Sequence, residues 1–306
     1  MKFVFLSPHF PPNFYHFAVR LKQHGVTVLG LADENYDSLR PELKGALTEY
    51  YRVNDMHNYD ELVRALGYFT NHYGKLDRLD SHNEYWLETE AGLRTDFNIF
   101  GLRLDDIQRV KRKSVMKEVF VNAGVKVARG RVIGNLNDAL DLVAETGYPL
   151  VAKPDVGVGA AATYKIHDQA ELERFFVEKP PFDYLLEEYI LGDIETFDGL
   201  TDFDGNLVFV NSLAYSAGIM ETVLADDHVY YYTRREIPAD LEEVGRRVLR
   251  EFGVRERFFH FEFFRRPETG ELWALEVNMR PPGGMSLDMF NYSCDIDIYD
   301  AWASLV

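Results

Sequence analysis

The spacing of apolar residues predicts a parallel α/β region at the start of the chain. Apolar runs cover residues 3–6 and 26–31, and between them Phe17, Ala18 and Leu21 follow helical spacing. A strand, a helix and a second strand joined by short links are typical of a parallel sheet covered by helices. The first turn has no GxGxxG sequence, so the pattern only weakly favours a dinucleotide-binding fold.

Helical and strand-like patterns then follow each other along the chain. A single helix is predicted over 102–123, ended by Gly124, and another over 241–252. Short apolar runs bounded by turn residues predict strands at 148–153, 163–166, 184–190, 258–264 and 272–277, and a hairpin over 200–210. We place three regions at 1–100, 101–186 and 187–306.

Charge and cysteine content narrow the class of protein. The 306 residues contain 33 basic and 50 acidic side chains, and this net charge of −17 argues against a nucleic-acid partner. Cys294 is the only cysteine, which excludes an intrachain disulfide and a cysteine-rich zinc site. No apolar stretch approaches the roughly 20 residues that span a bilayer. We therefore expect a cytoplasmic protein that binds small molecules and neither nucleic acid nor membrane.

Lys153 is the first candidate for binding chemistry. It ends an apolar strand, where a lysine is costly to bury without an anionic partner. The loop 157–162 follows, with Gly157 and Gly159 among small residues whose backbone N–H groups can approach an anion. This arrangement is typical of a phosphate clamp, and equally of a strand end with a lysine that reaches solvent.

Two further segments allow both a functional and a structural interpretation. Lys113 lies in a basic helical stretch, a pattern that also describes an ordinary solvated helix face. Glu187, Glu188 and Ile190 end an apolar strand where a backbone hinge can contact an adenine edge, and Glu195 follows as a carboxylate for ribose hydroxyls. A solvated strand exit has the same composition.

The clearest signal is a set of polar residues on two strands near the end of the chain. Glu276 and Asn278 alternate along one strand, so both side chains point to one face, and Arg280 continues on that face if the strand persists. Glu262 on a paired strand supplies a second carboxylate. Mg²⁺ prefers such oxygen ligands and is often held by one or two carboxylates with substrate phosphates. An outward sheet surface is the alternative interpretation.

The order of these motifs resembles the ATP-grasp superfamily, especially the branch of biotin carboxylase and carbamoyl-phosphate synthetase. The resemblance covers about residues 80 to 300. It rests on the joint order of Lys113 with Ala123-Gly124-Val125, Gly147-Tyr148-Pro149 with Lys153, the 157–162 loop, Glu187-Glu188-Tyr189-Ile190, Glu262, and Glu276-Val277-Asn278-Met279-Arg280. It implies an α/β ATP-grasp fold with an N-terminal Rossmann-like pre-ATP-grasp domain.

The resemblance also implies roles for these residues. Lys113 and Lys153 would bind ATP phosphates under the 157–162 lid. The 187–190 hinge would face adenine, with Glu195 at the ribose. Three residues would hold Mg²⁺ or Mn²⁺, namely Glu262, Glu276 and Asn278. Arg280 would steady the acyl phosphate or γ-phosphate. Substrate groups are expected from Glu84 and from segment 226–232, which includes His228.

The function implied is an ATP-dependent ligation. ATP would phosphorylate a small-molecule carboxylate, and an amine would attack the acyl phosphate, with a homodimer as a possible assembly. Two alternatives remain open at this point. The alanine-rich lid favours a non-catalytic ATP-binding module, and the same site chemistry suits an enzyme that forms carboxyphosphate or carbamoyl phosphate.

Overall fold

A computed structural model describes residues 1–157, 162–216, 228 and 230–306, and these fold around three sheets. The first is a parallel sheet of order β3-β2-β1-β4, as the sequence predicts for the start of the chain. Its strands are β1 (Lys2–Leu6), β2 (Thr27–Ala32), β3 (Glu49–Arg52) and β4 (Arg78–Asp80). The buried runs on β1 and β2 form its core, because both faces of a parallel sheet are covered.

The second sheet is small and antiparallel, with order β6-β9-β7-β8. Its strands are β6 (Gly130–Ile133), β7 (Leu150–Pro154), β8 (Tyr164–Ile166) and β9 (Tyr184–Glu188). The strands predicted at 148–153, 163–166 and 184–190 are confirmed within a few residues. Two amphipathic helices cover its apolar face and complete a separate core.

The third sheet is the largest and has the order β13-β12-β10-β14-β15-β5, with β11 paired to β10. Its strands are β5 (Lys126–Val127), β10 (Asp193–Thr201), β11 (Leu207–Asn211), β12 (Leu213–Tyr215), β13 (Tyr231–Thr233), β14 (Phe258–Arg265) and β15 (Leu272–Asn278). The predicted hairpin and the predicted pairing of β14 with β15 are confirmed. One face of this sheet is apolar, with Phe197, Phe261, Phe263 and Val277 buried under helices.

The helices cover the three sheets. They are α1 (Tyr15–Gln23), α2 (Pro41–Ala46), α3 (Tyr59–Tyr73), α4 (Leu87–Asp96), α5 (Leu104–Lys111), α6 (Lys113–Asn122), α7 (Leu136–Thr146), α8 (Gln169–Glu178), α9 (Ala239–Phe252), α10 (Ser286–Cys294) and α11 (Ile298–Ala303), with short 3-10 helices at Tyr36–Ser38 and Glu84–Trp86. Within the described part of the chain, none is both long and apolar enough to cross a membrane.

The single helix predicted over 102–123 is wrong, because the segment forms two helices. Arg112 separates α5 from α6 with an extended backbone (φ −95°, ψ 112°) and forms an isolated bridge with Val156. Asp155 stabilises the new helix start: its backbone oxygen accepts from the Lys113 N–H (2.8 Å) and its carboxylate from the Ser114 N–H (2.7 Å). A helix start has unpaired N–H groups, which this buried aspartate satisfies.

Packing across the sheets connects distant parts of the sequence. Trp302 of α11 contacts the rings of Phe3 and Phe17, with centroids 5.4 and 5.1 Å apart, so the last helix completes the core of the first sheet. Helices α5 and α6 contribute to the core of the largest sheet, whereas the small sheet begins only at Gly130. The region boundaries near residues 100 and 186 stay predictions.

Candidate active site

The face of the largest sheet opposite its apolar core carries polar side chains at its centre. On β14, Glu262 lies opposite Glu276 of β15 and Thr196 of β10. His260 lies opposite Asn278 and Asp198 in the same way. Directly opposed residues of antiparallel strands point to one side of a sheet. The polar face is therefore defined by Thr196, Asp198, His260, Glu262, Glu276 and Asn278.

Hydrogen bonds connect the residues of the polar face. His260 Nδ1 is 2.6 Å from Asp198 Oδ1, and its Nε2 is 3.0 Å from Glu262 Oε1. Asn278 Nδ2 donates to the same Glu262 oxygen at 3.4 Å. Burial disfavours a charged imidazole, but Asp198 and Glu262 outweigh it and raise the pKa of His260 to about 9. His260 is therefore positively charged at neutral pH.

Lys113 reaches the polar face from the first turn of α6. Its Nζ is 3.1 Å from Glu276 Oε1 and donates to the Gly157 carbonyl oxygen at 3.1 Å. The break at Arg112 is what places this lysine at the helix start, where the N-terminal end also favours anions. The structure thus brings together Lys113, Gly157 and Glu276, three residues that the sequence singles out separately. Asp155, which fixes this geometry, was not predicted from the sequence. The one signal for it is its position two residues after Lys153 of β7.

Lys153 lies in the small sheet beside the hinge carboxylate. Its Nζ is 2.5 Å from Glu187 Oε1, and Lys117 Nζ is 2.6 Å from Glu187 Oε2. Although burial disfavours the charged carboxylate, Lys153 and Lys117 lower the pKa of Glu187 to about 2. Burial also lowers the pKa of Lys117. Lys117 was missed by sequence reasoning, although its position four residues after Lys113 places both lysines on one side of α6.

Arg280 connects the polar face to the N-terminal region. Its Nη2 donates to Asn278 Oδ1 at 3.4 Å, and its Nε is 3.9 Å from Glu84 Oε2. Glu84 is buried, and its Oε1 pairs with the buried Lys111 at 3.2 Å. The predicted residues Arg280, Asn278 and Glu84 are therefore neighbours. Lys111 is a further member of the site that the sequence did not reveal.

A cleft of about 340 Å³ opens beside this contact. Its lining includes the aromatic side chains of His57, Tyr85 and Trp86, together with Lys111 and Gly157. His57 Nε2 is 2.7 Å from the Tyr85 hydroxyl, which fixes the two rings relative to each other. The cleft thus combines apolar surface with a buried cation, a composition that suits small-molecule ligands.

Several predicted residues lie away from the polar face. Glu188 forms an ion pair with Arg129 (2.8 Å). Ile190, two residues beyond the end of β9, is buried. Glu195 lies opposite Phe263, hence on the other face of the sheet from Glu262. Its carboxylate pairs with two arginines, Arg234 at 2.5 Å and Arg265 at 2.9 Å. Contact of these residues with a nucleotide stays a prediction.

Two predicted sites, the 157–162 lid and the substrate segment 226–232, lie partly outside the described residues. Gly159 and most of the 157–162 loop belong to this group, as do residues 217–227 and 229. His228 is described and exposed. The lid and the substrate role of segment 226–232 therefore stay predictions.

The donor set of the polar face fits a hard divalent cation. Across the described ranges, no group of three or more His, Cys, Asp or Glu side chains is arranged to hold a metal unaided. Glu262 and Glu276 supply two carboxylates and Asn278 an amide oxygen, all on one face. Mg²⁺ typically binds one or two carboxylates and completes its shell with water and phosphate oxygens. The incomplete protein shell is thus the kind that Mg²⁺ uses together with a bound phosphate.

Comparison with known proteins gives relatives in sequence and in structure. No family model matches the chain. A carbamoyl phosphate synthase large chain from Thermotoga sp. (strain RQ2) is 27% identical over 206 residues, which are 62% of this chain and 18% of that protein. The chain thus matches less than a fifth of the length of this relative.

Solved structures match nearly the whole chain. The L-amino acid ligase from Bacillus licheniformis has a TM-score of 0.76 at 16% identity, covering 99% of this chain and 73% of that one. The biotin carboxylase domain dimer of Hydrogenobacter thermophilus 2-oxoglutarate carboxylase, in complex with MgADP, ADP and bicarbonate, has a TM-score of 0.70 at 18% identity, covering 99% and 69%. The chain has the ATP-grasp fold of these proteins, and the resemblance predicted from the sequence is confirmed.

Proposed function

We propose that this chain is an ATP-dependent carboxylate–amine ligase that works through an acyl phosphate and requires Mg²⁺. The observation that carries the proposal is the contact of Lys113 with Glu276 on the polar face, 3.1 Å apart. The proposed phosphate-binding cation and the proposed metal-binding carboxylate are thereby adjacent. A nucleotide phosphate with its metal ion would replace this internal ion pair by one contact to each partner.

The nucleotide would lie between the small sheet and the polar face. Lys113 and Lys153 would bind phosphate oxygens, with backbone contacts from Gly157, while the 187–190 hinge faces the base. Glu262, Glu276 and Asn278 would hold Mg²⁺, which neutralises phosphate charge during transfer. Lys117 would keep Glu187 paired when Lys153 turns to the phosphate, because both lysines contact that carboxylate.

The carboxylate and amine substrates would occupy the cleft beside Glu84. Arg280 would orient the substrate carboxylate toward the phosphate and stabilise the charge that develops on transfer. Glu84 Oε2 is buried and accepts no hydrogen bond within the described residues, so it is placed to accept one from the amine. The aromatic residues that line the cleft would contribute apolar contacts to the substrates. A homodimer and small-molecule substrates belong to the same proposal.

Bicarbonate is the second candidate for the carboxylate substrate. A carbamoyl phosphate synthase is similar in sequence, and a biotin carboxylase domain with bound bicarbonate is similar in fold. The reaction would then form carboxyphosphate at the same residues. The two candidates differ in which carboxylate stimulates ADP release, so one assay separates them.

The test is Mg²⁺-dependent ADP release from the purified protein with single amino acids, amino-acid pairs and bicarbonate. We expect one carboxylate to stimulate release, an amine to increase it, and mass spectrometry to detect the ligated product. Glu276→Gln should lower the stimulated rate on the order of 100-fold, the typical effect of losing one transition-state contact. Glu271→Gln is the matched control, because Glu271 is an exposed carboxylate near the start of β15 whose partner is Lys126.

The outcomes separate the competing functions. Stimulation by bicarbonate alone would replace the ligase proposal by carboxyphosphate formation. Tight ATP binding with no stimulation by any member of the panel would favour a non-catalytic ATP-binding module. Full activity of Glu276→Gln would contradict the assignment of the polar face as the metal site.

A further inference from the structure

The carboxylate of Glu262 is held by two donors on one oxygen. His260 Nε2 and Asn278 Nδ2 both contact Oε1, at 3.0 and 3.4 Å. Among the hydrogen bonds of the described residues, those to this carboxylate all end on Oε1. Oε2 is consequently the oxygen left for a cation on the polar face. Rotation of the carboxylate would break the contact with His260, so the imidazole determines which oxygen points outward.

The second ring nitrogen of His260 is also held by a carboxylate. Its Nδ1 contacts Asp198 Oδ1 at 2.6 Å, and Asp198 Oδ2 accepts from the Thr196 hydroxyl at 2.5 Å. Asp198 and Thr196 are completely buried and His260 is nearly so. Buried carboxylates are retained in proteins only when they are paired, so the arrangement fixes the ring orientation from both sides. All three side chains lie on adjacent strands in register, with Asp198 directly opposite His260.

We propose that Asp198 and His260 form a positioning pair that aims Oε2 of Glu262 at the metal ion. The pair touches neither the nucleotide nor the substrate and acts through Glu262. His260 donates to Asp198 with one ring nitrogen and holds the proposed metal ligand Glu262 with the other. Outer-shell groups that orient a metal ligand in this way tune metal affinity, and their removal typically costs about 10- to 100-fold. The inference rests on the proposed function, because it needs Glu262 to be a metal ligand.

Two substitutions at one position separate the two contacts of the imidazole. In His260→Asn the amide nitrogen takes the place of Nδ1, which keeps the Asp198 contact and loses the one to Glu262. In His260→Gln the longer amide takes the place of Nε2, which keeps the Glu262 contact. A purely structural role for the buried ring would make the two variants similar. A positioning role predicts a defect in His260→Asn that His260→Gln largely restores.

The measurement is ADP affinity by calorimetry, with 5–10 mM Mg²⁺ (roughly the excess needed to saturate the nucleotide) and again with EDTA. The ratio of the two affinities reports the contribution of the metal ion without any turnover. We expect His260→Asn to lower this ratio about tenfold while its affinity in EDTA equals that of the wild type, and His260→Gln to stay within about threefold. His24→Asn is the matched control, because His24 forms an exposed pair with Asp300 (2.8 Å) that shares no residue with the polar face, and it should change nothing.

Each outcome decides a different claim. A wild-type ratio of one would contradict the metal site itself, and with it both the proposed function and this inference. A normal wild-type ratio that His260→Asn leaves unchanged would overturn the positioning pair alone. If His260→Asn does not fold, Asp198→Asn gives the decision, since it preserves volume and weakens the support of the ring. We expect that variant to lower the ratio about two- to threefold, the range allowed for His260→Gln, which also lacks the Asp198 contact, and an unchanged ratio would overturn the inference.

Discussion

Two histidines are buried beside aspartates in this protein, and they differ in the charges around them. His82 lies where the first sheet meets the largest one, with Nδ1 3.7 Å from Asp80, and burial lowers its pKa to about 4. His260 lies on the polar face at 2.6 Å from Asp198, and there the carboxylates outweigh burial and raise the pKa to about 9. The same residue pair therefore carries a neutral ring in one place and a charged ring in the other.

The neighbouring cations explain the difference. Asp80 also pairs with Arg94 (3.0 Å) and Arg257 (3.4 Å), whose positive charge disfavours protonation of His82. We call Asp80, His82, Glu90, Arg94 and Arg257 the junction cluster. Its two carboxylates face two arginines, so its charges compensate internally. On the polar face three carboxylates, Asp198, Glu262 and Glu276, pair with two cations within the described residues, His260 and Lys113, while Arg280 contacts the neighbouring Asn278.

This comparison distinguishes a cluster that holds the fold from one that is suited to a ligand. Buried charges that are all paired with one another stabilise one conformation and leave no charged group to bind a ligand. A face whose carboxylates outnumber the cations paired directly with them, as on the polar face, can accept a further cation. Substitutions in the junction cluster should therefore affect folding most, and substitutions around the polar face should affect activity most.

The largest effect is expected from Arg94→Met in the junction cluster. Arg94 is 1% exposed and donates to Glu90 (2.8 Å) and to the Leu79 carbonyl. Its removal leaves the buried Glu90 without its cation and Asp80 with Arg257 alone, and breaking a buried ion pair typically costs about 3–5 kcal/mol. Urea unfolding measures the change. Arg246→Met removes an exposed pair with Glu242, worth less than about 1 kcal/mol, and serves as the control. Equal losses in the two variants would remove the distinction between the clusters.

The next effect is expected at the polar face, from Lys113→Met. Activity should fall on the order of 100-fold, because the proposed phosphate contact of Lys113 would be lost where charge develops. The free energy of unfolding should change much less than in Arg94→Met. Lys126→Met, which removes an exposed pair with Glu271, should keep full ADP release. A folding defect as large as that of Arg94→Met would place Lys113 among the structural charges instead.

Removal of Asp155, the aspartate at the start of α6, should affect both stability and activity. Asp155→Ala should cost about 2 kcal/mol, because the Ser114 N–H at the helix start loses its acceptor and Arg112 loses its ion pair. It should also lower ADP release, since Lys113 is then no longer held at the polar face. Asp168→Ala removes an exposed cap that accepts from the Glu171 N–H at 2.9 Å and should cost about 1 kcal/mol. Reduced ADP release in Asp168→Ala as well would show that general destabilisation explains both.

The smallest effect is a pH dependence of stability that comes from His82. The unfolded chain takes up a proton there near pH 6.5, and the folded chain only near pH 4. The unfolded state thus binds more protons in this window, so stability falls as the pH drops through it. Between pH 7 and 6 the loss is roughly 0.5–1 kcal/mol by this linkage. Unfolding of His82→Gln over the same range should lack this contribution, and an unchanged slope would exclude His82 as its source.

Local patterns in the sequence predict most of the architecture. The strands that carry Lys153, Glu262 and Glu276 follow from apolar alternation and turn residues, and the parallel start of the chain from strand–helix–strand spacing. The break at Arg112 was missed because it depends on Asp155, which is distant in sequence and close in space. Periodicity reports which face of an element is apolar, and it contains no information about such a partner.

The site was predictable where its residues share one strand or one helix. Glu276 and Asn278 are two residues apart, and their common face follows from the pleat. Lys111 and the arginines that hold Glu195 come from other elements, at separations of 27, 39 and 70 residues. Their roles depend on how three sheets meet, which no local pattern fixes.

The most direct test of the ligase account is the transfer of oxygen from substrate to phosphate. The protein is incubated with ATP, Mg²⁺ and the twenty amino acids labelled with ¹⁸O in the carboxylate, and the released phosphate is analysed by mass spectrometry. An acyl phosphate intermediate predicts one ¹⁸O atom in the phosphate, since the carboxylate oxygen that attacks ATP leaves with it. ADP formation with unlabelled phosphate would contradict an acyl phosphate intermediate.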